Sequence, residues 1–289
     1  MTKVWLGTIL LAASAVAYST AGFFTRLIAV DAWTLLFWRG VFAGLFITGV
    51  IAWQERGKAL VAWRSIGRDG LVIALFSALA TVCFLNAMRL SAVADVMVID
   101  AMIPFLTAGI AWLVIGERED KATLLATLAA VAGVAVMAGP AIAGGRWLGD
   151  LLALAMALLM STVLVLIRRK RFVNMLPAVG LSAFLCAAFV LPFAQTFSVD
   201  AGDLGLLALF GTTQFGMGLL LLALGTPLVS ATRGALLGVL QTPLGTLWVW
   251  LAFSETPAVA TLIGGGIVLA AVLVDILAPH RPAMVTQPE

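Results

Sequence analysis

The sequence predicts an all-α polytopic membrane protein: ten transmembrane helices arranged as two inverted five-helix repeats. Three observations lead there. The 289 residues are 63% apolar and only 11% charged, with mean hydropathy +1.13, against roughly 45–50% apolar and about 25% charged in a soluble domain. The chain divides into ten apolar runs separated by charge, Gly or Pro. Its two halves share short blocks in the same order. Ten spans of about 21 residues leave about 79 for all loops and tails. That excludes a separate soluble domain, and with it an attached nucleotide-hydrolysing module.

The runs fall near 4–26, 31–53, 69–89, 92–115, 121–139, 148–170, 176–195, 203–224, 228–252 and 257–277. They lack strict alternation, so they are expected as helices and not barrel strands. Helices also satisfy every backbone polar group within one segment, as lipid requires. The first run imitates a signal peptide, with Lys3, an apolar stretch and Ala13-Ser14-Ala15. It outlasts the usual apolar core of about 7–15 residues, so an uncleaved first span is expected. A tight turn at Leu90-Ser91 separates runs three and four. Gly225, Thr226 and Pro227 are expected to separate runs eight and nine.

With the N-terminus inside, the inner loops hold Lys3, Arg56, Lys58, Arg64, Arg68, Arg118, Lys121, Arg168, Arg169, Lys170, Arg171 and Arg281, and the outer loops only Arg26, Arg89 and Arg146. This bias places both termini in the cytoplasm of a bacterial-type inner-membrane protein, with residues 280–289 as a cytoplasmic tail. It also explains the net charge of +3, so no nucleic-acid partner is expected. Trp5, Trp33, Trp53, Trp112, Trp147 and Trp250 lie toward span ends, as interfacial anchors do. Cys83 and Cys186 lie in apolar runs without ligand spacing, and the one histidine, His280, is in the tail. Buried free thiols are expected, with no metal and no cofactor.

The repeat reads as residues 1–140 and 141–279. Gly7, Ser19-Thr20 and Arg26 match Gly149, Ser161-Thr162 and Arg168 at an offset of 142. Asp69 and Ala74-Leu75-Phe76 match Asp203 and Ala208-Leu209-Phe210 at 134; Ser91 and Pro104 match Ser230 and Pro243 at 139; Gly116-Glu117 matches Ser254-Glu255 at 138. Five is odd, so the second copy enters the membrane inverted. Inverted repeats belong to secondary transporters, whose substrate sites lie near the midplane between the copies, though channels also use them.

Several features together carry a family resemblance. They are Tyr18-Ser19-Thr20 through Phe23 in the first span, Arg39 in the second, Pro104 with Gly116-Glu117, and Pro243 with Ser254-Glu255. Over about residues 4–277 the chain resembles the drug/metabolite transporter superfamily, in particular its EamA-type exporters, and is most similar to the YddG-type exporters of amino acids including aromatic ones. The resemblance implies export of a small solute by alternating access through a central cavity. The alternatives are a drug or other-metabolite exporter and a facilitative pore. Related small multidrug exporters carry a carboxylate in their first span. Spans one and six here have no interior acid.

Polar side chains at membrane depth are the candidate site, because they are costly there and face a cavity or a partner. Arg39 and Asp100 each lie eight residues below an outer span start, about 12 Å deep. They are read either as a buried ion pair or as substrate groups, Arg39 toward a carboxylate and Asp100 toward an amine. Asp100 is also the candidate for proton coupling. Tyr18, Ser19, Ser161, Thr162, Gln214, Gln241 and Thr242 lie nearer the midplane. Of these, Tyr18, Gln214 and Gln241 are preferred, because a buried amide or phenol needs several partners. Asp95 reads as a vestibule residue. Arg233 reads as a cation snorkelling to the interface or an inner-gate contact. Pro104 and Pro243 are expected kinks, suited equally to gating and to a static bend that shapes the cavity. Phe23, Trp38 and Trp248 are candidate aromatic walls, or else lipid-facing or core side chains. Gly40-x-x-x-Gly44, Gly234-x-x-x-Gly238 and Gly264-Gly265-Gly266 read as helix packing.

No enzyme is expected. A Ser-His hydrolase needs a membrane histidine. Asp95 and Asp100 share one helix about 140° apart, unlike a facing carboxylate pair. The expected partners are a small-molecule substrate and the lipid bilayer, with a monomer favoured over a dimer.

Overall fold

The computed structural model describes residues 3–55, 63, 66–138, 147–170, 172–195, 199–254 and 256–277. Ten helices are long and apolar enough to cross a membrane: α1 Lys3–Leu27, α2 Ala32–Gln54, α3 Gly67–Leu90, α4 Asp95–Ile115, α5 Lys121–Ala138, α6 Trp147–Arg169, α7 Leu176–Phe193, α8 Ala201–Leu228, α9 Ala231–Phe253 and α10 Val259–Leu277. Arg56, Lys58, Arg64, Arg146, Arg171, Glu255 and the 280–289 tail lie outside the described residues. Trp53, Trp112 and Trp147 stand exposed at helix ends.

The largest departure in the boundaries is at α8. Gly225-Thr226-Pro227, expected as a linker, close the helix instead. Thr226 Oγ1 donates to Leu222 O at 2.7 Å, and Thr226–Leu228 form a 3-10 turn. Pro227 fits there because the start of such a turn leaves its N–H unused. The join to α9 is Val229–Ser230, and Ser230 caps α9 by accepting from Arg233 N.

α4 and α9 are broken at matched places. α4 runs Val93–Asp100, turns at Ala101–Met102 and resumes over Ile103–Ile115. α9 runs Ala231–Gly238, turns at Val239–Leu240 and resumes over Gln241–Phe253. Pro104 and Pro243 sit in the first turns of the resumed helices. Neither proline can donate back across the break, and each ring would clash with the carbonyl four residues earlier. Both broken helices end in the left-handed region, at Gly116 with φ 66° and at Ser254 with φ 55°.

The packing is symmetric between the halves. α5 packs on α10, α2 on α7 and α4 on α9. α3 packs on α6 as α8 does on α1, α4 on α6 as α9 does on α1, and α7 on α3 as α2 does on α8. Exchanging the two five-helix halves maps this set onto itself, the arrangement of inverted repeats.

Glycines make the tightest of these contacts. A Cβ on Gly40 would lie 2.7 Å from Ala183 O, and one on Gly44 2.6 Å from the Phe184 ring. The second motif differs: a Cβ on Gly234 meets nothing closer than 3.5 Å, and Gly238 faces open space. Its expected packing role is therefore corrected. At α5–α10, a Cβ on Gly264 would land on Gly133 O and 2.6 Å from Met137 Cγ, whereas Gly266 has room. Gly264→Ala is expected to lower stability by about 1–3 kcal/mol through overpacking. Gly266→Ala is expected to be neutral or slightly stabilising. Thermal unfolding of both variants in detergent checks the contrast.

Candidate functional site

The two broken helices meet unevenly. The second half of α4, Ile103–Ile115, packs on the first half of α9, Ala231–Gly238. Both halves lie toward the end of the bundle that carries Lys3, Lys121 and Arg168, here the basic face. Toward the opposite face, the first half of α4 packs on α3, α5 and α6, and the second half of α9 on α1 and α10. The two spans are thus joined at the basic face and parted toward the other.

A buried polar cluster reinforces that joint, and its bonds cross between the halves of the chain. Glu117, fully buried, takes Arg168 Nη2 at 3.1 Å and Ala231 N at 3.3 Å. Arg168 Nη1 also donates to Pro227 O at 2.6 Å. Ser230 donates to Glu119 Oε2 at 2.9 Å. Beside them, Arg233 Nε lies 3.0 Å from Asp275 Oδ2, and Thr123 donates to Asp275 Oδ1 at 2.8 Å. Arg233 is 5% exposed. The expectation that it snorkels to water is corrected: Asp275 of α10 holds it inside. On the opposite face, Ser91 donates to Asp150 across the halves.

Burial pushes the Glu119 carboxyl above the ordinary glutamate value, and Glu117 and Asp275 add to the rise while the Ser230 bond opposes it. A raised acid is stabilising while protonated, so its contribution is complete below the ordinary value and fades as pH rises through the raised one. The detergent unfolding temperature is therefore expected to fall across that window. Glu119→Gln, neutral at every pH, is expected to flatten the slope; an unchanged slope would remove Glu119 as its source.

Arg39 sits in a second cluster, formed by α1, α2, α3, α7 and α8. Its guanidinium carbon lies 4.3 Å from the Phe215 ring centroid and 5.9 Å from that of Phe210. The Cys186 thiol and Tyr18 lie within its electrostatic reach, with Thr81 beside Cys186. Arg39 Nε and the neighbouring Trp38 Nε1 are buried without a hydrogen-bond partner. Phe215 lies 6.4 Å from Tyr18, centroid to centroid. Gln214, 3% exposed, donates to Tyr18 O at 3.2 Å and leaves its Oε1 without a partner. Both Gln214 and Phe215 belong to a π-helical segment, Phe210–Gly216. The repeat offset rises from 134 at Phe210 to 139 at Ser230, so α8 carries residues that its counterpart α3 lacks. The wider π turns absorb part of that excess and bring two consecutive side chains inward. Such segments recur at functional sites.

The expected Arg39–Asp100 pair does not form. α2 packs on α7 and α8, whereas the half helix ending at Asp100 packs on α3, α5 and α6. No ion pair joins them among the described residues. Asp100 is half-buried at the last residue before the α4 break. Gln241 and Thr242, both half-buried, open the second half of α9. Ser161, fully buried, donates to Ile103 O at 3.2 Å and fastens α6 to the α4 break. Ser19 donates to Val16 O at 2.6 Å and accepts from Trp248 Nε1 at 2.8 Å. Thr162 is outside the core and bonds its own helix.

A cavity of about 610 Å³ lies between α1, α8 and α9, walled by Thr20, Phe23, Phe24, Thr213 and Trp248 among others. Its rim includes Val16, Leu209 and Leu251, which are 43%, 50% and 67% exposed. It is a groove that opens sideways. Of the three candidate aromatic walls, Phe23 and Trp248 line this groove and Trp38 does not. Tyr18, Arg39, Asp100, Ser161, Gln214, Gln241 and Thr242 do not.

Glu119, Thr123 and Asp275 are not among the residues expected from the sequence. Asp275 carried a usable signal, being an acid inside the apolar run 257–277.

The model of the EamA-like transporter family matches the chain twice, over residues 5–139 and 147–276. The chain belongs to the EamA-like transporter family. This EamA-family protein is therefore a multi-pass membrane transporter of the drug/metabolite transporter superfamily, with one copy of the EamA unit in each half. No curated protein matches its sequence. A solved structure titled "Crystal structure of protein" superposes with a TM-score of 0.79 at 21% identity, covering 94% of this chain and 97% of the other. At that identity the likeness concerns the fold.

Proposed function

We propose that this EamA-family transporter exports small metabolites, amino acids including aromatic ones among them, from the cytoplasm by alternating access. The observation that carries this reading is the pair of matched breaks in α4 and α9, joined at one face and parted at the other. Discontinuous helices at corresponding places of inverted repeats build the midplane sites of secondary transporters. The positive-inside bias assigns the joined, basic face to the cytoplasm, with both termini there and an inner-membrane location. Inward opening then consists of releasing the Glu117–Arg168 joint. Arg39, Tyr18, Gln214 and Phe215 supply a cation, a phenol, an amide and rings for an aromatic amino acid. Asp100, Gln241 and Thr242 line the α4 and α9 breaks, while Ser19 and Ser161 brace the helices around them. Pro104 and Pro243 are the bending points.

A drug-exporter reading has one observation in its favour, the apolar groove at Phe23 and Trp248 that opens sideways. Counterflow of labelled amino acids in proteoliposomes at several pH gradients separates the readings. Exchange of phenylalanine or tryptophan is expected. No exchange of any amino acid favours the drug exporter, and uptake without counterflow favours a pore. A rate that follows the pH gradient assigns proton coupling.

A further inference from the structure

The surroundings of Arg39 sharpen what the transport reading asks of this cluster. A guanidinium at membrane depth is costly and is ordinarily met by a carboxylate or backbone carbonyls. Among the described residues, two further arginines inside the bundle obey that rule, Arg168 with Glu117 and Arg233 with Asp275. Arg39 does not: its neighbours are two aromatic faces, a thiol and a phenol, and its Nε is buried without an acceptor. Cation–π contact offsets part of the cost but supplies no negative charge. The planar fork of donors fits a carboxylate, the ligand for which arginine geometry is best matched.

The charges of an α-amino acid hang on one carbon. A carboxylate on Arg39 therefore leaves the ammonium in the same surroundings, where Tyr18, Thr81, Cys186 and Gln214 are the polar neighbours and none is an acid. Asp100 stands on a helix that does not pack on α2. The amine can meet at most a neutral acceptor, the open Oε1 of Gln214.

We propose that the Arg39 cluster is a carboxylate site, which selects its substrates by an anionic group beside a planar apolar body and discriminates weakly for or against the amine. This deepens the amino-acid reading and rests on it. It extends the substrate class to aromatic carboxylates that carry no amine.

Three compounds with one ring test it: phenylalanine, 3-phenylpropionate without the amine, and phenethylamine without the carboxylate. Ligand-induced shifts of the unfolding temperature in detergent report binding directly, so the test stands even if phenylalanine is not transported. Phenylalanine and 3-phenylpropionate are expected to bind within a few-fold of each other. Phenethylamine is expected to bind ~10-fold or more weakly, the loss of a charge-assisted contact. Arg39→Gln is expected to erase the preference for the acids and Arg39→Lys to keep part of it. Equal or better binding of phenethylamine overturns the proposal, as does no binding of 3-phenylpropionate. The wild-type comparison decides the matter if Arg39→Gln fails to fold. Counterflow with labelled 3-phenylpropionate then separates a failed substrate class from a failed transport reading.

Discussion

Glu117→Ala is expected to lower the stability of the transporter by about 3–5 kcal/mol, the cost of leaving a buried charge without its partner. Arg168 is only 11% exposed at its side chain and has no second carboxylate among its described contacts. Ala231 N, at the start of α9, loses its acceptor in the same step. The double variant Glu117→Ala with Arg168→Leu is expected to recover a large part of the loss, because the unpaired charge leaves with its partner. Chemical denaturation in detergent, run as a double-mutant cycle, measures the coupling. Additive losses would show that the pair holds nothing together. The same contact spans the two halves, so under the proposed alternating access loosening it is also expected to favour opening at the basic face. By contrast, Lys170–Asp69 also bridges the halves, at 2.7 Å, but both side chains are exposed, at 35% and 51%. Its removal is expected to change little.

Asp275→Asn is expected to act as strongly, by about 3–5 kcal/mol, although it changes a single atom. The amide keeps an oxygen for Thr123 but withdraws the charge beside Arg233. Arg233 lies in the first half of α9, which packs on α4, so the damage reaches the same joint. Replacing both members by apolar residues, Arg233→Met with Asp275→Leu, is expected to restore much of the stability, since each ion then sheds its desolvation cost. Unfolding temperatures of the single and double variants in one detergent check this. A double variant no better than Asp275→Asn would sink the explanation.

The fold is largely legible in the amino-acid sequence. Length and hydropathy decide a membrane span locally, since about 20 apolar residues suffice wherever they occur. All ten spans therefore lie where the composition puts them, and the matched blocks announced the two halves. Errors came where local chemistry has two outcomes. Gly225-Thr226-Pro227 reads as a linker by residue type, yet Thr226 bonding Leu222 carries α8 through it. Gly234 and Gly238 have packing spacing, but nothing approaches Gly238. The site was less legible than the fold. Equal depth suggested an Arg39–Asp100 pair, and depth says nothing about which helices are neighbours.

By itself the sequence determined the class, the number of spans, the repeat and the positions of the helix breaks, because each depends on residues close together in the chain. Only the tertiary structure decided which charges meet. Arg168 finds Glu117 and Arg233 finds Asp275 across 51 and 42 residues of chain, while Arg39 finds rings in place of an acid. The physical reason is that a span's hydropathy is a property of one helix. The partner of a buried charge depends on the rotation and neighbours of several helices, which no local pattern encodes. Arg39 was visible from the start as a charge in the membrane. Its lack of an acid, the fact on which the substrate proposal rests, became visible only when the helices around it were in place.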